Sequence, residues 1–418
     1  MKQVQGAAPP TAVTPGFRLG PLYVTLPVAN AAVFFLWLTV GAFVLPAHVQ
    51  RITGENNVAA LGLANTIGPL LATIANPVFG QISDRTRSRF GRRSPWILGC
   101  VALGIIALAV QASASTVLML GLSWAAVQAI MNGYQAAVTA ILPDRVPERR
   151  YGTFSGLVGL GVPLATVVTS IVFIAYPELA QGGAYYIVMV VLAAAALLIV
   201  FGSPDKDSRD LPPQPLNLAQ FFAGFVRPLK SRDFAWAFLS RFGVMAGYMI
   251  IFTFNFFLLE EFIGIPKGEV VQKMGILMLI GQVSTIAAVV IVGPLSDRVN
   301  RFRLFALIAG IASAVSLVIP LLMPTFEGMI IYNVVHGIAF GIYGAVDMAL
   351  VTKVLPNAHE VGKDLGVINI ANAGPQILAP AIAAFVVLNL GGYASLFIVG
   401  IVISLIASFG VMKIRGVR

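Results

Sequence analysis

The chain has 418 residues, of which 58% are hydrophobic and 11% charged, with a mean hydropathy of +0.89 and a net charge of +10. So few charges cannot cover a soluble domain of this size, so lipid must solvate much of it. The single cysteine, Cys100, excludes an internal disulfide framework, and the scatter of basic residues through short loops excludes nucleic-acid recognition.

Residues 1–23 lack a long apolar core and read as a cytoplasmic tail, not as a cleavable signal peptide. Apolar runs long enough to cross a bilayer, about 20 residues at ~1.5 Å each, then follow to the end. The first, 24–49, places Asn30, Phe34 and Trp37 on one face. The second, 57–82, leads into the loop GQISDRTRSRFGRRSPW, Gly80 to Trp96. Gly80 lets two helices approach, and Asp84 stands at a helix C-terminus, where an acid needs a partner. The nearby arginines, or the N-terminus of a helix in the other half, are the candidates. Either pairing reads as a latch on the cytoplasmic side, built from Gly80, Asp84, Arg85 and Arg92. Equally, Arg85, Arg87, Arg89, Arg92 and Arg93 anchor the loop to an anionic leaflet.

The third span is 94–113. The fourth, 116–142, groups Trp124, Gln128 and Asn132, and ends at Leu142-Pro143-Asp144. Spans 152–176 and 183–202 complete a first bundle, 24–202. A linker, 203–232, begins with the charged, proline-rich SPDKDSRDLPPQP. Its second part, LNLAQFFAGFVRPLK, clusters apolar residues on one side and predicts a helix lying on the membrane, with a plain loop as the alternative.

The second bundle is 233–413, and 414–418 form a tail. Its first span, 234–260, aligns Arg241, Met245, Tyr248, Phe252 and Asn255. Span 269–295 leads to Gly293, Asp297 and Arg298, and span 302–322 follows. Span 327–354 places Tyr332, His336, Phe340, Tyr343 and Asp347 on one face. Span 363–387 carries Asn369, Asn372 and Gln376 beside Pro375, which is expected to kink it. Span 392–412 is the last.

Gly80–Arg85 recurs as Gly293–Arg298, and Leu142–Asp144 recurs as Leu355–Asn357, at one and the same offset. Two motifs after matching spans imply a duplication, six spans and six, with a solute site between the halves. With both termini cytoplasmic, all but Arg51, Arg241, Lys267 and Lys273 of the 27 Lys and Arg residues fall on the cytoplasmic side.

These residues resemble the major facilitator superfamily, whose loop motif matches Gly80 to Trp96. The expanded SDRTRSRFGRR, together with RDFAWAFLSRF (Arg232–Phe242) and LPNAHEVGKDLGVINIANAGPQILAP (Leu355–Pro380), is similar to the sucrose transporter and glycoside–pentoside–hexuronide:cation symporter branch. The resemblance implies a symporter of a sugar or glycoside and supports a gating role for Asp84 and, by symmetry, Asp297. The sodium-binding acids of melibiose-type members have no counterpart, since the first two spans contain no Asp or Glu.

Arg241 and Asp347 are the ionisable groups deep within spans, at matching depths, and such groups are costly and usually functional. Asp347 is expected to be the coupling acid, tuned by Arg241; a fixed structural pair is the alternative. His336 is placed to relay protons, or to be a neutral histidine at a helix contact. The amides offer donors and acceptors to hydroxyl-rich solutes, and aromatic rings can stack on a sugar. The bland reading of each amide is interhelical glue.

The expectation is therefore an all-α membrane protein of twelve transmembrane helices, arranged as two pseudo-symmetric bundles. It is monomeric, sits in the cell inner membrane, needs no cofactor or metal, and carries a small solute with protons by alternating access. Export of amphipathic compounds, or a sensor or assembly scaffold without flux, are the alternatives. No phosphate loop, metal-spaced His/Cys set or nucleophile motif points to an enzyme.

Overall fold

The computed structural model describes residues 19–210, 231–299, 301–353 and 361–414. Twelve long helices follow in chain order: α1 (Leu19–Thr53), α2 (Val58–Arg85), α3 (Ser94–Ala112), α4 (Val117–Arg145), α5 (Tyr151–Ala175), α6 (Gly183–Gly202), α7 (Arg232–Glu261), α8 (Val270–Val299), α9 (Phe302–Leu322), α10 (Phe326–Lys353), α11 (Val361–Asn389) and α12 (Tyr393–Val411). Among the described residues, eleven are long and apolar enough to cross a membrane; in α11 the described apolar stretch is Ala373–Asn389.

Each predicted span lands on one helix, and span 302–322 coincides with α9. The first boundary needs correcting. α1 begins at Leu19, inside the stretch read as a tail, because Leu22 and Leu26 are buried in the bundle and extend the helix below the apolar run. The surface-helix segment 216–230 lies outside the described residues, as do the tails 1–18 and 415–418 and the repeat motif at 355–357.

Local chemistry sets the ends and breaks. The Asn57 side chain caps α2 by accepting from Ala60 N at 2.9 Å, and Thr116 caps α4 by accepting from Met119 N at 3.2 Å. α1 is not uniform: Thr39–Val44 form a π-helical turn just before Pro46, whose ring nitrogen has no proton to donate. α5 breaks at Leu160, between Gly159 and Gly161, upstream of Pro163.

The duplication is visible in the packing. α1 packs on α5 and α6, and α7 packs on α11 and α12. The pairs α2–α4, α3–α4 and α3–α6 recur as α8–α10, α9–α10 and α9–α12. Between the halves, α2 meets α11 and α5 meets α8.

The two ends differ. We call the end holding the Asp84–Ser94 loop the basic face. One hydrophobic core joins both halves at the other end, where Phe254, Phe257, Met274, Ala383 and Phe397 pack with residues of α1–α6. Toward the basic face the second half has separate cores, one around Ala237, Phe302, Val346 and Leu350 and one around Val244, Ala309 and Tyr343. The halves are thus apposed opposite the basic face, and among the described residues no common core joins them at it.

Candidate functional site

At the apposed end the contact depends on missing side chains. A Cβ on Gly62 of α2 would lie 2.8 Å from Ala384 Cβ of α11, and one on Gly275 of α8 would lie 3.1 Å from Ser170 O and Ile174 Cγ1 of α5. Gly62 and Gly275 are separated by the same offset as Gly80 and Gly293, so each repeat supplies one glycine to the opposite half. Sequence reading missed this pair, although the shared offset was the signal. Polar ties flank it. Gln50 Nε2 donates to Glu260 Oε2 at 2.8 Å, Gln272 Nε2 donates to the Ile174 carbonyl at 3.1 Å, and Lys267 Nζ lies 3.4 Å from Glu260 Oε1.

Gly80, read as a close-approach glycine, and its repeat counterpart Gly293 make no such tight contact among the described residues. The nearest atom to a Cβ on Gly80 would be 3.8 Å away, an ordinary contact, and nothing lies within 4 Å for Gly293.

At the basic face the loop forms an ion network within the first half. Arg93 is its hub: Nη2 lies 2.5 Å from Asp84 Oδ1, Nε donates to Asp144 Oδ2 at 2.8 Å, and Nη1 donates to Ser83 Oγ at 2.8 Å. Arg92 reaches Asp144 Oδ1 at 2.9 Å. Arg145 pairs with Asp205 at 3.2 Å, and Asp205 Oδ2 accepts from Arg93 N at 3.0 Å, so the start of the linker is tied to the loop. Burial disfavours the charge on Arg93, but Asp144 and Asp84 outweigh it and hold its pKa above the usual arginine value. Asp84, still 40% exposed, thus finds a partner in its own half, and among the described residues none in a helix of the other. Arg85 folds back onto the Gln81 carbonyl at 2.6 Å. In the second repeat the connection is only residues 300–301; Arg298 is exposed, and the side chain of Asp297 lies outside the described residues.

Inside the second half, Arg241 Nη1 of α7 and Asp347 Oδ2 of α10 are 2.9 Å apart, each side chain only 11% exposed. Tyr343, one turn earlier on α10, hydrogen-bonds the same carboxylate. Two turns away from the basic face lies an aromatic cluster. Tyr248 stacks on Phe252 at 5.3 Å and on His336 at 5.8 Å, and tilts against Phe340 at 5.3 Å. Tyr332 covers His336 at 5.2 Å. Tyr248, Phe252, Asn255 and Phe340 are only partly buried. His336 is three helical turns, about 16 Å of rise, from Asp347, too far for direct proton transfer between them.

Several predicted lining residues are otherwise engaged. Asn30 donates to the Val158 carbonyl at 2.9 Å, beside the break in α5, and accepts from Gln135 Nε2 at 2.9 Å. It is a buried tie among α1, α4 and α5. Trp124 is 1% exposed and fills the space left by Gly41 and Gly68, so it is core. Asn132 returns its amide to Gln128 O at 2.9 Å, on its own helix. Phe34 and Trp37, edge to face at 5.2 Å, and Gln128 stay partly exposed. Gln376 is exposed; the side chains of Asn369 and Asn372 lie outside the described residues. A cavity of about 270 Å³ lined by Phe79, Trp96, Cys100, Leu103 and Ile130 flanks α2–α4 and includes none of the predicted residues.

The family profile described as Major Facilitator Superfamily matches residues 28–332 and 271–416. A short stretch of 41 residues, 10% of this chain and 8% of the relative, is 51% identical to a protein of Synechocystis sp. (strain ATCC 27184 / PCC 6803 / Kazusa) named "Uncharacterized symporter sll1374". Among solved structures, a point mutant of the nucleoside transporter NupG superposes with a TM-score of 0.76 at 15% identity, covering 94% of this chain and 99% of that one. A bacterial homolog of the human lysosomal transporter Spinster, inward-facing and occupied, gives 0.65 at 16% identity, covering 95% and 97%. Identities this low carry the fold alone.

Proposed function

The chain belongs to the Major Facilitator Superfamily, a multi-pass membrane transporter of small solutes, and on that premise we propose that it carries a sugar or glycoside together with a proton. The observation that carries this reading is the Arg241–Asp347 pair, buried inside the helices next to a partly exposed aromatic cluster. Lipid and protein leave a carboxylate there little water, so its charge depends mainly on the guanidinium of Arg241. A proton arriving at Asp347 would break its ion pair with Arg241, which is the property a coupling site needs. Aromatic rings beside it suit the apolar face of a pyranose or a planar aglycone. NupG is a transporter of nucleosides, which are themselves glycosides, so nucleosides belong among the solutes to test.

In this reading the basic face is cytoplasmic, as its arginines favour, and the separate cores at that end correspond to an inward-open state. The protein works as a monomer in the inner membrane. Rocking of the halves breaks the Gln50–Glu260 and Gly62–Ala384 contacts and closes the other end.

The test uses purified protein in proteoliposomes. A thermal-shift screen of monosaccharides, disaccharides, glycosides, nucleosides and amphipathic drugs identifies the solute class. Asp347→Asn should then lose accumulation driven by a pH gradient and keep counterflow. Normal gradient-driven uptake by that variant would sink the proton-coupling proposal. Stabilisation by amphipathic drugs alone would favour export instead.

A further inference from the structure

The hydrogen bonds around His336 determine where its proton sits. Ser316 has one hydroxyl proton, and it is donated to the Ser313 carbonyl at 2.6 Å. Ser316 Oγ also lies 3.1 Å from His336 Nδ1. With the proton on the shorter of its two contacts, that oxygen accepts, and this arrangement assigns the hydrogen to Nδ1. Ser313 Oγ is a weaker competitor, at 3.4 Å from the same nitrogen. A neutral imidazole with Nδ1–H has a bare lone pair on Nε2. His336 is 8% exposed, and Nε2 has no hydrogen-bond partner among the described residues.

A buried acceptor without a donor costs roughly 1–3 kcal/mol, and such groups in folded proteins call for an explanation. The ring cannot easily turn away. Tyr248 lies almost parallel to it, at 14°, and Tyr332 covers it at 31°. The two ring nitrogens point in roughly opposite directions. With Nδ1 held by α9, Nε2 therefore points away from α9, along the ring plane that Tyr248 stacks on.

We infer that His336 is a solute-recognition residue whose Nε2 accepts a hydrogen bond from an O–H or N–H of the transported molecule, at the edge of the imidazole that Tyr248 and Tyr332 hold in place. This rests on the reading of the aromatic cluster as part of the solute path. It narrows that reading: the solute must present a donor at this point, and replacing that donor by an acceptor is not tolerated.

The decisive experiment pairs solute and protein changes. His336→Asn keeps an N–H in the place of Nδ1 and removes the acceptor in the place of Nε2; His336→Gln restores an amide oxygen near Nε2. Binding is measured for the parent glycoside and for its deoxyfluoro analogues, each of which lacks one hydroxyl donor. His336→Asn should weaken the parent about tenfold, and His336→Gln much less. One analogue should bind the wild type about as weakly as the parent binds His336→Asn, with no further loss when the two changes are combined. Unchanged parent binding to His336→Asn, or losses that add for every analogue, would overturn the inference. The ¹⁵N spectrum of histidine-labelled protein, with only three histidines to assign, tests the tautomer without any solute, and an Nε2–H signal would overturn the inference alone. If no saccharide, glycoside or nucleoside binds the wild type, the solute class proposed above falls, while an Nδ1–H spectrum still supports the acceptor assigned here.

Discussion

In the first half, arginine and aspartate meet at the membrane surface; in the second, one arginine and one aspartate meet inside it. The surface network shares its load. Arg93 bonds Asp84, Asp144 and Ser83, Asp144 also holds Arg92, and Asp205 bridges Arg93 and Arg145. Water reaches Asp84, so no charge there depends on one partner. Arg241 and Asp347 share a site from which water is nearly excluded. The two sites thus hold their charges differently: a shared network open to water in one, and in the other a single pair nearly closed off from it.

That contrast can be broken at the buried pair first. Arg241→Gln leaves Asp347 buried and unpaired, and should destabilise the protein by about 3–5 kcal/mol, read as a lowered Tm in detergent. Adding Asp347→Asn should recover most of the loss, since no bare charge remains. Failure of the double variant to recover would mean that the pair is not the unit described.

At the surface, Arg93→Gln should cost about 2 kcal/mol, less than the buried change because Asp84 and Asp144 keep access to water. Arg92→Gln, which removes one shared contact, should barely move the Tm. Equal effects at the two positions would remove Arg93 from the centre of the network.

The comparison between the two ends is sharpened by glycine. Gly62→Ala meets Ala384 at 2.8 Å and should part α2 from α11, whereas Gly275→Ala, at 3.1 Å, should act more weakly. Labelling of cysteines placed in the apposed end should rise in that order. Of the changes at the apposed end the smallest is Gln50→Ala, which removes one hydrogen bond to a carboxylate, about 1 kcal/mol, and should raise the same labelling a few-fold.

Much of the fold was legible in advance. The twelve spans, the duplication and the Arg241–Asp347 pairing follow from apolar run length, motif spacing and helical depth, all one-dimensional quantities. The candidate site was legible only in part. Asn30 and Trp124 share faces with aromatic and amide neighbours, but periodicity does not say whether a face meets a cavity or another helix. Asn30 met α5 and Trp124 met two glycines. Asp84 offered two kinds of partner, and among the described residues the path of the loop brings it Arg93.

The sequence by itself determined that lipid surrounds this chain, how often it crosses, and that two repeats compose it, because a bilayer demands continuous apolar runs and those are local. The tertiary structure alone decided which end is apposed, which polar side chains are committed to neighbours, and which nitrogen of His336 is left without one. Those depend on the rotation and register of helices far apart in the chain, where a shift of one residue exchanges a buried tie for a binding group.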